Sequence, residues 1–284
     1  MTLKIARKQA LWISPLGALA IALSLVSVAD AADTTQIPNK PSSPINLIDN
    51  ETYDFGGRTI DGGNIADNGL FRCFNRRGVT IKNVTVTNSP RYALLARGCS
   101  SFTIENFKMK NMSNSVGGIR FDKGTENKTV TINNVEADNV GGHAVELWDT
   151  NGFTIGTIKA NNTDGCGLLL NRSRNGTVSR VEGDKNDQYG GYATFRVANN
   201  NGGNIQVGSV KSRNSGRGFF SVSGSSGTTV NYVDIASSNK EGIYIQDSSN
   251  TKVNSGKVRG TPNCRIRGGS NNSINADCGG SIAN

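Results

Sequence analysis

The feature that most constrains this chain is a motif that recurs four times between Gly118 and Asn199. The copies are Gly118-Ile-Arg-Phe-Asp-Lys, His143-Ala-Val-Glu-Leu-Trp-Asp, Gly167-Leu-Leu-Leu-Asn-Arg and Ala193-Thr-Phe-Arg-Val-Ala. Each follows a Gly-rich turn, alternates apolar with polar or bulky residues, and runs into a second short strand. Copies lie about 22–27 residues apart, the spacing of a solenoid in which every coil rests on the one before it. A single packed domain has no reason to keep such a period.

Extending the motif outward places first strands near Leu70, Ala93, Gly118, Ala144, Gly167, Ala193, Gly218, Gly242 and Cys264. Second strands follow a V/F-T-I-x-x-V/I/F theme, as in Val79-Thr-Ile-Lys-Asn-Val, Phe102-Thr-Ile-Glu-Asn-Phe, Val130-Thr-Ile-Asn-Asn-Val, Phe153-Thr-Ile-Gly-Thr-Ile and Ile205-Gln-Val-Gly-Ser-Val. Period-two alternation puts the aliphatic and aromatic residues on one face and the polar ones on the other. No helical period follows residue 31, and strands joined by turns this short cannot be crossover units. They can only stack. The expected fold is all-β, a single-stranded parallel β-helix of about nine or ten coils.

Composition agrees with this. An apolar content of 35% is low for a globular core, but the 35 glycines and abundant Asn, Ser and Thr suit a chain of many tight corners. Residues 1–31 read as a signal peptide: a basic start (Lys4, Arg7, Lys8), an apolar run Leu16–Val28 too short to span a bilayer, and a small-x-small site at Ala29-Asp30-Ala31. Residues 32–46, with Pro38, Pro41 and Pro44, read as an extended lead-in, and residues 47–284 as the β-helix domain. The mature protein is expected outside the cytoplasm, secreted or periplasmic, with no membrane span, as a monomer.

The formal charge is +9, and removing the leader leaves 28 basic against 21 acidic residues. No nucleic-acid motif or lysine-rich run accompanies this charge, so nucleic acid is set aside and an acidic polysaccharide is the expected partner. An oxidising compartment permits disulfides. Cys73 and Cys99 lie one coil apart, Cys264 and Cys278 would close the terminal coil, and Cys166 is left as a packed thiol.

The coil theme and the opening strand Tyr53–Ile60 resemble the pectate-lyase-like superfamily of secreted right-handed parallel β-helices. The resemblance spans the mature chain and is one of architecture. It implies the right hand of the helix and a substrate cleft on the first-strand sheet. Most of that superfamily's enzymes are polysaccharide lyases, hydrolases and uronate epimerases, and some members have no known catalysis. Two closer patterns do not fit. The polygalacturonase-type order of Asn-Thr-Asp, paired aspartates, Gly-His-Gly and Arg-Ile-Lys is only echoed in Asn162-Thr-Asp-Gly, Gly142-His-Ala and Arg265-Ile-Arg, with the histidine first and no paired aspartates. The Asp-Pro-His-Asp signature of alginate epimerases is absent.

Aligning the inward residues leaves two outward columns on the first sheet. The first reads Arg72, Leu95, Arg120, Glu146, Leu169, Arg196, Ser221, Tyr244 and Arg265. The second reads Phe74, Arg97, Asp122, Trp148, Asn171, Ala198, Ser223, Gln246 and Arg267. Arginine forks suit uronate carboxylates and an aromatic face suits a pyranose ring. The candidate catalytic residues are Arg120, His143, Glu146, Asp122 and Arg196; the candidate binding residues are Trp148, Asn171, Arg97, Tyr192 and Tyr244.

Two mechanisms fit this set. Arg120 and Arg196 could neutralise a uronate while His143, the only histidine (or Tyr192 or Tyr244), takes the C5 proton, giving β-elimination or epimerisation. Alternatively Asp122 and Glu146, about 8 Å apart at the backbone, could serve as the acid and base of an inverting hydrolase. A non-catalytic glycan-binding helix is the rival from another class. No metal site is assigned, although Asp164, Asp184 and Asp187 in and near the long turn Gly183–Gly191 could gather a calcium ion.

Overall fold

The computed structural model describes residues 30–283 apart from 67, 261, 263 and 281. It is a parallel β-solenoid built from a 10-stranded and a 13-stranded sheet. The ten-stranded sheet stacks Ile45–Asn46, Gly69–Phe74, Tyr92–Arg97, Gly117–Phe121, Val145–Trp148, Leu168–Asn171, Phe195–Ala198, Phe219–Ser221, Ile243–Gln246 and Arg265–Arg267, one strand per coil. The expected strand starts fall within two residues of these. The only helical piece among the described residues is a 3-10 turn at Thr34–Gln36, and no described helix is long and apolar enough to cross a membrane.

Strands of the second sheet run up to 14 residues and bend within themselves. The bends sit at left-handed residues such as Asn83 (φ 55°) and Asn106 (φ 49°), where asparagine tolerates the backbone. Their amides also stack: Asn106 donates to Asn83 at 3.0 Å and Asn83 to Asp54 at 2.9 Å. Inside, edge-to-face contacts Phe71–Phe107 and Phe102–Phe121 join the two sheets. The second strand Arg174–Asn186 lacks the theme's aromatic, and the sequence reading passed over it. Gly176 stands in that place, and the Phe153 ring from the coil before fills the space: a Cβ there would lie 2.1 Å from it.

The outer face of the second sheet carries a column that the sequence reading also passed over. Lys108, Glu136, Lys159, Glu182, Lys211, Asp234, Lys257 and Asp277 are successive register partners, and their charges alternate without a break. Neighbours about 4.8 Å apart therefore always attract.

Residues 1–29 of the expected leader lie outside the described residues, while Asp30–Ala31 pair with Glu51–Thr52. The lead-in 32–46 is not extended. The Arg58 guanidinium donates to the carbonyls of Thr34 and Ile37 and to Asn39, folding the segment over the open end of the first coil, and Ile45–Asn46 already pair with Phe71–Arg72. Disulfides Cys73–Cys99 and Cys264–Cys278 form as expected, and Cys166 is a buried free thiol.

The strand Phe219–Ser221 departs from the expected register by one residue. Phe219 and Ser221 face inward, and Phe220 takes the outward place assigned to Ser221, with Val222 in place of Ser223. Two consecutive phenylalanines satisfy a period of two either way. Inside, Phe219 stacks on Phe195 (5.4 Å, 17°) and Ser221 finds the Thr251 hydroxyl at 3.2 Å, which makes an inward serine acceptable.

Candidate functional site

Apart from that slip, pairing reproduces the outward columns: Arg72, Leu95, Arg120, Glu146, Leu169, Arg196, Phe220, Tyr244 and Arg265 follow one another in register. The stripe divides into two halves with different chemistry.

In the first half the charges are closed on one another. Arg120 donates through Nη1 to Glu146 Oε2 at 2.7 Å and through Nε to Asp122 Oδ1 at 2.9 Å. Arg97 takes the other oxygen of Asp122. Glu146 Oε1 accepts from Trp148 Nε1 and from Asn171 Nδ2 at 3.0 Å, and Asn199 donates in turn to Asn171 at 2.8 Å. Glu146 is 5% exposed. Burial raises its proton affinity, against the pull of Arg120 and the Trp148 hydrogen bond. Burial acts in the same sense on Asp122, but the hydrogen bonds from Arg97 and Arg120 outweigh it and hold that carboxyl below the usual range.

Trp148 is not an open platform for a sugar. Arg172 lies 5.0 Å and Lys123 5.8 Å from its ring centroid, and its N–H is committed to Glu146. Arg172 is itself fixed by a bidentate pair with Asp149 at 2.6 and 2.7 Å.

In the second half arginines lie on aromatic rings. Arg196 sits 4.9 Å from the Tyr192 centroid and 5.1 Å from that of Phe220. Phe220 and Tyr244 stack in parallel (5.2 Å, 2°), with Arg217 over both and Arg265 at the far side of Tyr244. Arg217 pairs with Glu241 at 2.8 Å. Arg196 and Arg265 have no carboxylate partner among the described residues, and the Nε of each is buried without an acceptor. Leu169, Phe220 and Tyr244, though outward, form a small apolar cluster with Cys166 and Val222.

His143 bridges the halves. Its Nδ1 accepts from the Cys166 N–H at 2.8 Å, so the imidazole's lone pair is occupied and the remaining nitrogen carries the proton. Burial, then the charges of Arg196 and Arg120, push its pKa down to about 4. The ring is neutral at neutral pH and stands edge-on to Tyr192 at 4.9 Å. An imidazole so held offers a donor, and the expectation of a base at this position meets an occupied lone pair.

Of the aspartates named for a calcium ion, Asp184 accepts from Asn214 and Asp187 accepts the Tyr192 N–H, and no group of three His, Cys, Asp or Glu side chains placed to hold a metal occurs among the described residues. Sequence reasoning missed Phe220 and Arg217 as members of the site. Phe220 was legible in the other register of the Phe-Phe pair, whereas nothing in the spacing marked Arg217.

A family model described as "Right handed beta helix region" matches residues 68–230, which gives the solenoid its right hand. Among solved structures, the catalytic domain of a GH87 alpha-1,3-glucanase in complex with nigerose is matched with 11% sequence identity and a TM-score of 0.42. The match covers 83% of this chain and 56% of that one. No curated protein matches the chain.

Proposed function

The chain belongs to the right-handed β-helix family, and on that premise we propose that it is an exported, monomeric enzyme that cleaves a uronic-acid-containing polysaccharide by β-elimination. The observation that carries this reading is Arg196: a guanidinium without a carboxylate partner among the described residues, over the rings of Tyr192 and Phe220, with a buried Nε that lacks an acceptor. A half-buried guanidinium whose Nε lacks an acceptor is well complemented by a carboxylate. Arg265, in the same column three rungs or about 14 Å further on, would hold a second uronate of the same chain.

A uronate carboxylate bound at Arg196 loses negative charge and makes its C5–H more acidic. Tyr192, against the guanidinium and acting as its phenolate after yielding its own proton to solvent, takes the C5 proton. The electron pair becomes the C4–C5 double bond as the C4–O bond breaks, and the departing oxygen collects a proton from solvent. His143, with its lone pair engaged, orients the Tyr192 ring. Return of the proton on the other face would give epimerisation instead.

A second reading has its own observation. Asp122 and Glu146 flank one arginine with their proton affinities displaced in opposite directions, the pattern of a hydrolase's base and acid. The test is to incubate the mature protein with a panel of polyuronates and follow both the ultraviolet absorbance of the unsaturated uronide and new reducing ends. Absorbance that rises, and is lost in Arg196→Gln and Tyr192→Phe but kept in Glu146→Gln, supports elimination. Reducing ends without absorbance, lost in Glu146→Gln, would move the chemistry to the first half. Binding with neither signal would make the stripe a glycan-binding surface.

A further inference from the structure

The turn that delivers Tyr192 runs from Asp187 through Gln188, Tyr189, Gly190 and Gly191, longer than the turns around it and with two consecutive glycines. A turn of that composition is ordinarily loose. This one is held from three coils. Within the turn, an Asp187 carboxylate oxygen accepts the Tyr192 N–H, and the Asp187 carbonyl accepts the Gly190 N–H at 2.9 Å. Gly190 closes so tightly that a Cβ there would stand 2.0 Å from Asp187 Oδ1. From the next coil, Arg217 donates through Nη1 to the Gly191 carbonyl while its Nε is fixed by Glu241. From the coil after that, 51 residues along the chain, Asn239 donates to the Gln188 carbonyl. The turn lies flat on Gly216, where a Cβ would come within 2.6 Å of the Asp187 carbonyl and 3.0 Å of the Tyr192 carbonyl.

We propose that Asp187, Arg217 and Asn239 are positioning residues that lock the turn 187–192 and thereby set the Tyr192 ring against His143 and Arg196. This rests on the reading of Tyr192 and Arg196 as the uronate site, and it extends that site to two coils that contribute no reacting atom. The contacts converge on backbone groups of the turn rather than on side chains, so they fix where the Tyr192 Cα stands. The edge-on imidazole at 4.9 Å and the guanidinium at 4.9 Å then fix the ring itself. Freed from these holds, the tyrosine would regain rotamer and backbone freedom, and its hydroxyl would lose the alignment that proton transfer needs.

The chain's single histidine makes this testable without reference to turnover. Its imidazole gives a single pair of titrating ring-proton resonances in proton NMR, and its contact with Tyr192 gives a nuclear Overhauser effect between the two rings. The charged groups facing it are Arg196 and Arg120, which none of the variants touches. In the folded full chain, Asp187→Ala and Gly216→Ala are expected to lose the ring-to-ring signal and raise the imidazole midpoint towards its ordinary value. Asp187→Asn, which keeps an acceptor for the Tyr192 N–H, is expected to retain both. Arg217→Lys and Asn239→Ala should weaken the signal. For the lyase reaction, Asp187→Ala should lower kcat about a hundredfold with KM little changed. A ring-to-ring signal preserved in both Asp187→Ala and Gly216→Ala overturns the proposal. Loss of that signal in a protein that cleaves no uronide leaves the positioning intact and sinks the lyase reading instead.

Discussion

The two halves of the outward stripe both centre on an arginine, and the two arginines reach opposite states. Around Arg120 every charge is answered: two carboxylates share one guanidinium, and an indole, an amide and a second arginine take the remaining oxygens. Around Arg196 the cation rests on aromatic faces and no carboxylate among the described residues answers it. A dense cluster of ionisable residues is therefore not the same as available chemistry. The first half spends its charges on rigidity, while the second leaves Arg196 without a carboxylate partner among the described residues.

The contrast is broken or sharpened most directly by removing each arginine. Arg120→Met strands two partly or fully buried carboxylates and should cost about 3–5 kcal/mol in chemical denaturation. Arg196→Met should cost no more than about 1 kcal/mol, the value of its aromatic contacts, yet abolish uronide cleavage. Equal destabilisation by the two would erase the distinction drawn above.

The next effect concerns the histidine between the halves. Its folded pKa, about 4, lies below the ordinary 6.5, so the unfolded chain binds the proton first as pH falls. Stability present above pH 6.5 is then lost progressively down to pH 4, amounting to about 3 kcal/mol from this group. Comparing denaturation midpoints of the wild type and His143→Gln across that window should show a steeper loss in the wild type. Parallel curves would mean that His143 is not buried in neutral form.

Salt separates the halves by a different route. Raising ionic strength from about 0.1 to 1 M shortens the Debye length from about 10 to 3 Å. Uronate affinity at Arg196, measured by calorimetry, should fall by at least tenfold, while the buried Arg120–Glu146 pair, screened by protein, should leave the unfolding free energy within about 1 kcal/mol. The smallest effect is that of Trp148→Phe. It removes one hydrogen bond to Glu146, about 1 kcal/mol, and should leave KM for polyuronate unchanged. A marked rise in KM would restore Trp148 as a sugar platform.

Much of the architecture was legible because coil stacking repeats one simple rule. Val130-Thr-Ile and Phe102-Thr-Ile each say which residues go inside, and the Asn-rich corners say where the chain bends. The rule failed where it was degenerate, at Phe219-Phe220, and where a neighbouring coil supplied the missing group, at Gly176. Column membership was readable to the same degree, so Arg120, Asp122, Glu146 and Arg196 were all placed on the correct face. Their states were not readable. Whether an arginine meets a carboxylate or a ring depends on side-chain directions between coils, and the proton on His143 depends on one backbone amide, that of Cys166. Residues 32–46 looked extended because their prolines announce no partner; Arg58 provides one, 24 residues beyond Thr34 and 21 beyond Ile37.

The column of alternating lysine and acid on the second sheet bears on how such a chain can change length. Deleting one coil, or duplicating one, would bring two like charges face to face at the junction, Lys against Lys or Glu against Glu. Removing two coils together would restore the alternation on both sides of the cut. The ladder thus acts as a parity check on coil number, under which this solenoid should lose or gain its turns in pairs more readily than singly.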